Sequence, residues 1–97
     1  IVGISGYEHN IDFAIAGDSK NPEKLIKTVN LLERQMMKSL VFTFIDIERR
    51  RKKINKIVIF NDKVKYSEQS VTSLNNYNIK TIPWSSKNKI DEILKAI

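Results

Sequence analysis

The chain has 97 residues, 41% hydrophobic and 29% charged, which is enough for one small globular domain and too little for two cores. It has no cysteine and only one histidine, His9, which excludes disulfides, thiolate metal sites and two-histidine metal sites within one chain. No apolar run is long enough to span a membrane. This length predicts that residues 1–97 form a single domain. Because the chain begins at Ile1 rather than methionine, we interpret it as the C-terminal part of a longer protein. We expect that protein to be cytoplasmic and to have no membrane partner.

The net charge of +6 comes from 17 basic and 11 acidic side chains, and it is concentrated in one segment. Between residues 49 and 56 there is no acidic residue and there are six basic ones: Arg49, Arg50, Arg51, Lys52, Lys53 and Lys56. When these six are taken from 17, the remaining 11 basic side chains balance the 11 acidic ones. A local positive patch of this kind predicts contacts with the phosphate backbone of DNA or RNA. A solvated connection between two strands explains it equally well.

The N-terminal half predicts two strands, a helix and a third strand. Residues 1–5 and 11–16 form the first two, because bulky and small or polar side chains alternate over 11–16. Asn21-Pro22 is typical of a helix start, and an apolar stripe then predicts a helix over residues 22–38. Residues 40–47 are rich in β-formers and apolar on both faces, which predicts a central strand.

The C-terminal half predicts strand, helix, strand and helix. The strand at 57–60 is followed by a helix that Ser67 caps and that ends near Asn78, which suits a left-handed backbone conformation. The strand at 79–84 contains Pro83 near its end, which argues against a fully paired central position, and Ser85 or Ser86 caps a last helix. The predicted order is β-β-α-β-β-α-β-α. The class is α/β or α+β, a mixed β-sheet flanked by helices with a parallel β-α-β unit in the C-terminal half.

Three carboxylates, Asp12, Asp46 and Glu48, are candidates for a catalytic magnesium site of a nuclease, because paired carboxylates hold the metal ions that orient a phosphodiester. Nothing in their spacing requires them to converge. We favour a structural role, with Asp12 accepting hydrogen bonds across its turn and with Asp46 and Glu48 in exposed ion pairs. Neither metal nor any other cofactor is then expected, and Mg²⁺ enters only with the nuclease alternative.

Polar-tipped aromatic residues are not interleaved with the basic segment, so a base-stacking platform is not indicated beside it. Trp84, at a strand end, is predicted to be a core or rim residue.

The stretch from Ser5 to Ile15 resembles an uncharacterised domain found at the C-terminal end of small prophage and mobile-element proteins. That family shows a Ser-Gly-x-x-His-x-hydrophobic-Asp-Phe pattern, and the positions that carry it here, with one further match near the end of the chain, are Ser5, Gly6, His9, Asp12 and Trp84. Asp46 ends another matching segment, in which phenylalanine stands where the family is expected to have tryptophan. The resemblance implies a family position for nearly the whole chain but no activity.

A weaker likeness connects the tail of the chain with restriction-endonuclease-like domains, in which a hairpin carries Asp and then Glu-x-Lys. Asp12 matches the first position, but no Glu-x-Lys lies on a following strand. The likeness therefore implies that a nuclease centre, if inherited, has been lost or rebuilt.

Three functions remain in order of preference. The first is a non-catalytic domain of a mobile-element protein, associated with nucleic acid through residues 49–56. The second is a protein-interaction or oligomerisation module that meets a protein partner or a missing N-terminal domain. The third is a magnesium-dependent nuclease, the only enzymatic alternative.

Overall fold

A computed structural model of the chain describes residues 1–51 and 53–95, and within them one mixed sheet lies between helices. The elements are β1 (Phe13–Ile15), β2 (Glu23–Val29), α1 (Arg34–Arg50), β3 (Ile54–Phe60), α2 (Glu68–Asn76), β4 (Ile79–Pro83) and α3 (Lys87–Lys95). The four strands lie in sequence order, with β1 antiparallel to β2 and with β2, β3 and β4 parallel.

Each face of the sheet buries its own apolar cluster. On one face, Leu25 and Val58 pack with Leu40 and Phe44 of α1 and with Leu74 of α2. On the other face, four buried isoleucines pack with the partly buried Ile90 of α3; they are Ile26, Ile57, Ile59 and Ile82. Because side chains alternate along β3 between the two clusters, both faces of this central strand are apolar. The predicted fold class, a mixed sheet flanked by helices, is confirmed.

The predicted parallel β-α-β unit is confirmed in detail. Ile57 pairs with Lys80 in parallel register, and α2 connects the two strands. Ser67 caps α2, its hydroxyl accepting a hydrogen bond from the backbone N–H of Ser70. Asn78 follows the helix in the left-handed region, with φ 62°. β4 is an edge strand that ends at Pro83, as that proline requires.

The predicted helix over residues 22–38 is wrong in its first half, where the chain forms β2. The carboxylate of Asp18 accepts hydrogen bonds from the backbone N–H groups of Lys20 and Asn21 and closes a turn there. Asn21 and Pro22 therefore end the β1–β2 connection instead of starting a helix.

The predicted strand over residues 40–47 is also wrong, because these residues belong to α1. Leu40, Phe44 and Ile47 are spaced by four and three residues, and together they form the buried stripe of that helix. Residues 1–5 form no strand either, and only Val2 makes an isolated bridge, to Glu8. A single strand, rather than two, therefore separates the first two helices.

Within the described part of the chain, every helix is too short or too polar to cross a bilayer.

Candidate functional site

Two of the family-pattern residues, Ser5 and His9, meet at the side chain of Asp46. Oδ1 of Asp46 accepts a hydrogen bond from the backbone N–H of Ser5 at 2.9 Å, and Oδ2 accepts one from the Ser5 hydroxyl at 2.6 Å. Nε2 of His9 lies 2.7 Å from Oδ2, and it carries the proton of this bond because an ionised carboxylate can only accept. The hydrogen bond from the Ser5 hydroxyl, followed by that from His9, lowers the pKa of Asp46 below its ordinary value of 3.8.

This arrangement holds the N-terminal loop, residues 1–10, against α1. Asp46 and His9 are both buried, 5% and 9% exposed, and the backbone N–H of Ile4 donates to the Asp46 carbonyl. A Cβ on Gly3 would lie 2.1 Å from Oδ2 of Asp46, so only glycine allows this close approach. Gly6 turns the loop with φ 88°. In a Ser-His-Asp catalytic triad the histidine lies between the serine and the carboxylate. Here the carboxylate of Asp46 lies between Ser5 and His9, so the three side chains connect the N-terminal loop to α1 and do not form a triad.

Asp12 supports the sheet edge. Its carboxylate accepts hydrogen bonds from the backbone N–H of Thr28 at 2.7 Å and from the Thr28 hydroxyl at 3.2 Å. Its own backbone N–H donates to the carbonyl of Ile26. Asp12 thus extends the β1–β2 pairing by one residue.

The three candidate carboxylates have separate partners. Asp12 binds Thr28, Asp46 binds the N-terminal loop, and Glu48 accepts a hydrogen bond from Nζ of Lys56 at 3.0 Å. Among the described residues, no group of three or more histidine or acidic side chains is arranged to hold a metal ion. The structure therefore does not bring together the residues on which the nuclease alternative depends.

The basic segment divides into paired and exposed side chains. Lys56, 8% exposed, is buried between Oε1 of Glu48 and the carbonyl of Tyr77, so the structure gives it a role in packing rather than a place on the surface. One guanidinium nitrogen of Arg51 lies 2.9 and 3.0 Å from the two carboxylate oxygens of Glu23. Lys52 lies outside the described residues.

Arg49, Arg50 and Lys53 remain at the surface, and none of them has an ion-pair partner in the described part of the chain. Both arginines occupy the last turn of α1, where cations complement the negative end of the helix dipole. Lys53 lines a cleft with Lys20, from the β1–β2 connection. We call Arg49, Arg50 and Lys53 together the basic end. It lies at the edge of the sheet where the parallel strands begin.

The opposite end of the sheet carries residues that sequence reasoning missed. The backbone N–H and the hydroxyl of Ser85 donate to the two carboxylate oxygens of Asp62, and the hydroxyl bond is the main cause that lowers the Asp62 pKa. The amide of Asn61 donates to Oδ1 of Asn30 at 2.9 Å. Trp84 is 42% exposed beside them, so it is a surface residue and not part of the core. The prediction that β3 and β4 are parallel could have indicated these residues, because the carboxyl ends of parallel strands meet at one edge of the sheet.

Comparison with known proteins gives a family but no characterised relative. The model of a family described as domain of unknown function DUF1829 matches residues 3–87. No curated protein and no solved structure matches the chain.

Proposed function

We propose that this chain, which belongs to the DUF1829 family, is a non-catalytic module that binds the phosphate backbone of nucleic acid through its basic end. The observation that carries the proposal is the exposure of Arg49, Arg50 and Lys53 on one helix terminus and the loop that follows it. The genetic setting, a prophage or mobile-element protein, is part of the proposal and is supported by the resemblance of the Ser5–Ile15 stretch alone.

These side chains suit binding to the phosphate backbone of nucleic acid because each is a long, flexible cation. None of them forms an ion pair with an acidic side chain of the described residues. Glu23 and Glu48 are paired with Arg51 and Lys56. Asp18 lines the same cleft as Lys53, and its carboxylate accepts hydrogen bonds from the backbone N–H groups of Lys20 and Asn21. Arginine also offers several donors in a fixed fork, which matches the oxygens of a phosphate. Such contacts carry no sequence information, so we expect binding to be largely independent of base sequence.

The salt dependence of binding tests the proposal. Two or three phosphates neutralised by Arg49, Arg50 and Lys53 give a slope of log affinity against log salt of about −2 to −3 on duplex DNA. The double variant Arg49→Ala/Arg50→Ala should flatten this slope by about two units. The measurement is a salt series of binding to short DNA and RNA, both duplex and single-stranded.

A matched control lies on the same helix. Arg34 and Lys38 are exposed in the first two turns of α1, so Arg34→Ala/Lys38→Ala removes the same charge from the other end. We expect the control to keep the wild-type slope. Equal slopes in the wild type and the Arg49→Ala/Arg50→Ala variant, or no binding at low salt, would contradict the proposal.

The second candidate function, a protein-interaction module, has its own observation. Ile4 and Tyr7 of the N-terminal loop and Phe42 of α1 are 60%, 69% and 53% exposed, and the ring of Phe42 contacts His9. The backbone of Ile4 is hydrogen-bonded to Asp46 of α1, so these side chains lie on adjoining elements, and exposed large apolar side chains are typical of protein interfaces. The triple variant Ile4→Ser/Tyr7→Ser/Phe42→Ser should abolish self-association measured by sedimentation if this surface joins two copies. The basic-end proposal predicts no effect of this variant on the salt slope.

A further inference from the structure

We infer that the carboxyl end of the sheet holds a second site, in which the ring of Trp84 stacks on an unpaired nucleobase while Lys63 and Lys89 face its phosphate. The site goes beyond the basic end, from which β3 separates it by seven residues, about 20 Å at roughly 3.3 Å per residue. Either site can exist without the other.

The cleft is built on loops that hydrogen bonds tie together. Trp84 donates its backbone N–H to the carbonyl of Phe60, and Ser85 is bound through both of its donors to Asp62. Asn61 bridges to Asn30 through its amide nitrogen, and its amide oxygen accepts from the backbone N–H of Lys63. These bonds fix the two loops and the backbone of Trp84, so a ligand would meet loops that are already in place.

The same bonds restrict the chemistry of the ligand. Asn61, Lys63, Trp84 and Ser85 line a cleft of about 520 Å³, a volume within the usual range for small-molecule sites. The amide of Asn61 and the hydroxyl of Ser85 already make hydrogen bonds within the protein, which leaves fewer donors and acceptors to hold a neutral sugar. What remains available is an aromatic face and the Lys63 ammonium, which has no hydrogen bond to the described residues.

A second cation adjoins this cleft. Ser85 also lines a neighbouring depression with Ser86, Asn88 and Lys89, and Lys89 is exposed. Lys63 faces Asp62, whose charge it offsets, and contributes to the low pKa of that carboxyl. Lys63 in the cleft and Lys89 beside it outnumber the carboxylate of Asp62, which favours an anionic ligand over a cationic one. An aromatic face with cations at its rim fits a planar ring that carries a negative group, and a nucleotide has both.

Stacking on Trp84 requires an exposed base face, so the site should select single strands over duplexes. Sequence reasoning did not find this site because Lys63 and Trp84 lie 21 positions apart and converge only when β3 and β4 pair.

Fluorescence offers a direct test, because Trp84 is the only tryptophan in the chain. We expect adenosine monophosphate and a ten-nucleotide deoxyadenylate strand to quench its emission saturably. Ribose 5-phosphate, which has the phosphate without the ring, should leave the emission unchanged, and the duplex of the same strand should quench much less. These probes separate a free nucleotide from a strand: quenching by the strand at far lower concentration assigns the site to single-stranded nucleic acid.

Binding of a labelled strand, followed by anisotropy, tests the residues. Trp84→Ala should weaken binding roughly 5- to 150-fold, and Trp84→Phe, which keeps a ring and guards against loss of folding, should retain most of it. Lys63→Ala/Lys89→Ala should flatten the salt slope by about 1.4. Phe13→Ala, which removes an exposed ring from β1, is the control and should bind as the wild type does.

Three results would overturn the inference: quenching by ribose 5-phosphate equal to that by adenosine monophosphate, unchanged strand affinity when Trp84→Ala is added to the Arg49→Ala/Arg50→Ala variant, or no quenching by any nucleotide. The Arg49→Ala/Arg50→Ala variant distinguishes binding at the Trp84 cleft from binding at the basic end. It should retain quenching by adenosine monophosphate even if the basic end binds nothing.

Discussion

At the scale of single residues, the side chain of Asp46 makes more hydrogen bonds to other parts of the chain than that of any described charged residue of the basic segment does. It receives three hydrogen bonds from Ser5 and His9, and it lies where Gly3 leaves space for it. The pattern Ser-Gly-x-x-His therefore describes the three-dimensional surroundings of one buried carboxylate in a helix 37 residues after His9. Sequence reasoning placed Asp46 among exposed ion pairs because no spacing rule connects a loop with a distant helix.

We predict that Asp46→Asn lowers the melting temperature by several degrees, because the amide replaces an acceptor of three hydrogen bonds with a group that also donates. The pKa of Asp46 is lower in the folded protein than in the unfolded chain, so ionisation stabilises the fold. This stabilisation is complete above about pH 5 and is lost as the pH falls through the unfolded value, about 3.9, towards the folded one.

The melting temperatures of wild type and Asp46→Asn should therefore differ most near neutral pH and converge on acidification. The control is Asp91→Asn on the exposed surface of α3, which should melt as the wild type does at every pH. A constant difference between wild type and Asp46→Asn from neutral pH to pH 3 would show that ionisation of Asp46 does not stabilise the fold.

At the scale of elements, α2 shows how local signals define a helix. Ser67 caps its start, and the backbone after Tyr77 turns through Asn78 with φ 62°. A residue with a Cβ in the left-handed region costs about 1–2 kcal/mol, which asparagine tolerates better than most and glycine avoids.

We predict that Asn78→Ala lowers the free energy of unfolding by about 1 kcal/mol and that Asn78→Gly leaves it unchanged or raises it slightly. Urea unfolding measures both. Asn76→Ala, in the last turn of α2, is the control and should be neutral or slightly stabilising because alanine favours helix. Equal stability of the alanine and glycine variants at position 78 would exclude a left-handed backbone there.

The predicted elements succeed where the residues at the ends of an element decide its type, and they fail where packing decides it. α2 has a capping serine and is followed by a left-handed asparagine, and β4 ends at a proline; both elements were predicted. Glu33, the residue before α1, caps this helix, and its carboxylate accepts hydrogen bonds from the backbone N–H groups of Gln35 and Met36. Glutamate is not among the usual N-cap residues, so the sequence marked no helix start there.

Two of the wrong predictions, the helix over residues 22–38 and the strand over residues 40–47, share a physical cause. Leu25 and Val29 have helical spacing, yet both lie in β2, where Ile26 fills the opposite face. Residues 41–45 are β-branched or aromatic, yet burial of Phe44 and Leu40 against the sheet outweighs their strand propensity. In a thin three-layer domain, tertiary burial exceeds propensities of at most about 1 kcal/mol per residue.

At the scale of the whole molecule, the sheet separates two surfaces. The basic end lies where the parallel strands begin, and the Trp84 cleft lies where they end. α1 carries residues of both kinds. Asp46 binds the N-terminal loop, and Arg49 and Arg50, about one turn later in the same helix, face solvent. The buried pair of Lys56 and Glu48 joins β3 to the end of α1, and Lys56 also reaches the carbonyl after α2.

The Lys56–Glu48 pair allows the last prediction, which separates packing from binding. Lys56 is 7% exposed in its side chain and Glu48 is 38% exposed, so Glu48→Ala leaves a buried ammonium with the Tyr77 carbonyl as its one partner among the described residues. We expect that variant to lose about 1–3 kcal/mol of unfolding free energy. Lys56→Met/Glu48→Gln removes one charge of each sign and keeps the net charge at +6. It should stay within about 1 kcal/mol of the wild type, because no buried charge is left without its partner.

The salt series then decides the role of Lys56. If its role is packing, Lys56→Met/Glu48→Gln binds DNA with the wild-type slope, whereas Arg49→Ala/Arg50→Ala binds with a flatter one. A slope flattened by about 0.9 in the Lys56→Met/Glu48→Gln variant would instead identify Lys56 as a phosphate ligand, because each neutralised phosphate contributes about that amount. Since the variant preserves net charge, a change in slope cannot be attributed to the overall field of the protein, and it would mean that Lys56 leaves its buried position when nucleic acid binds.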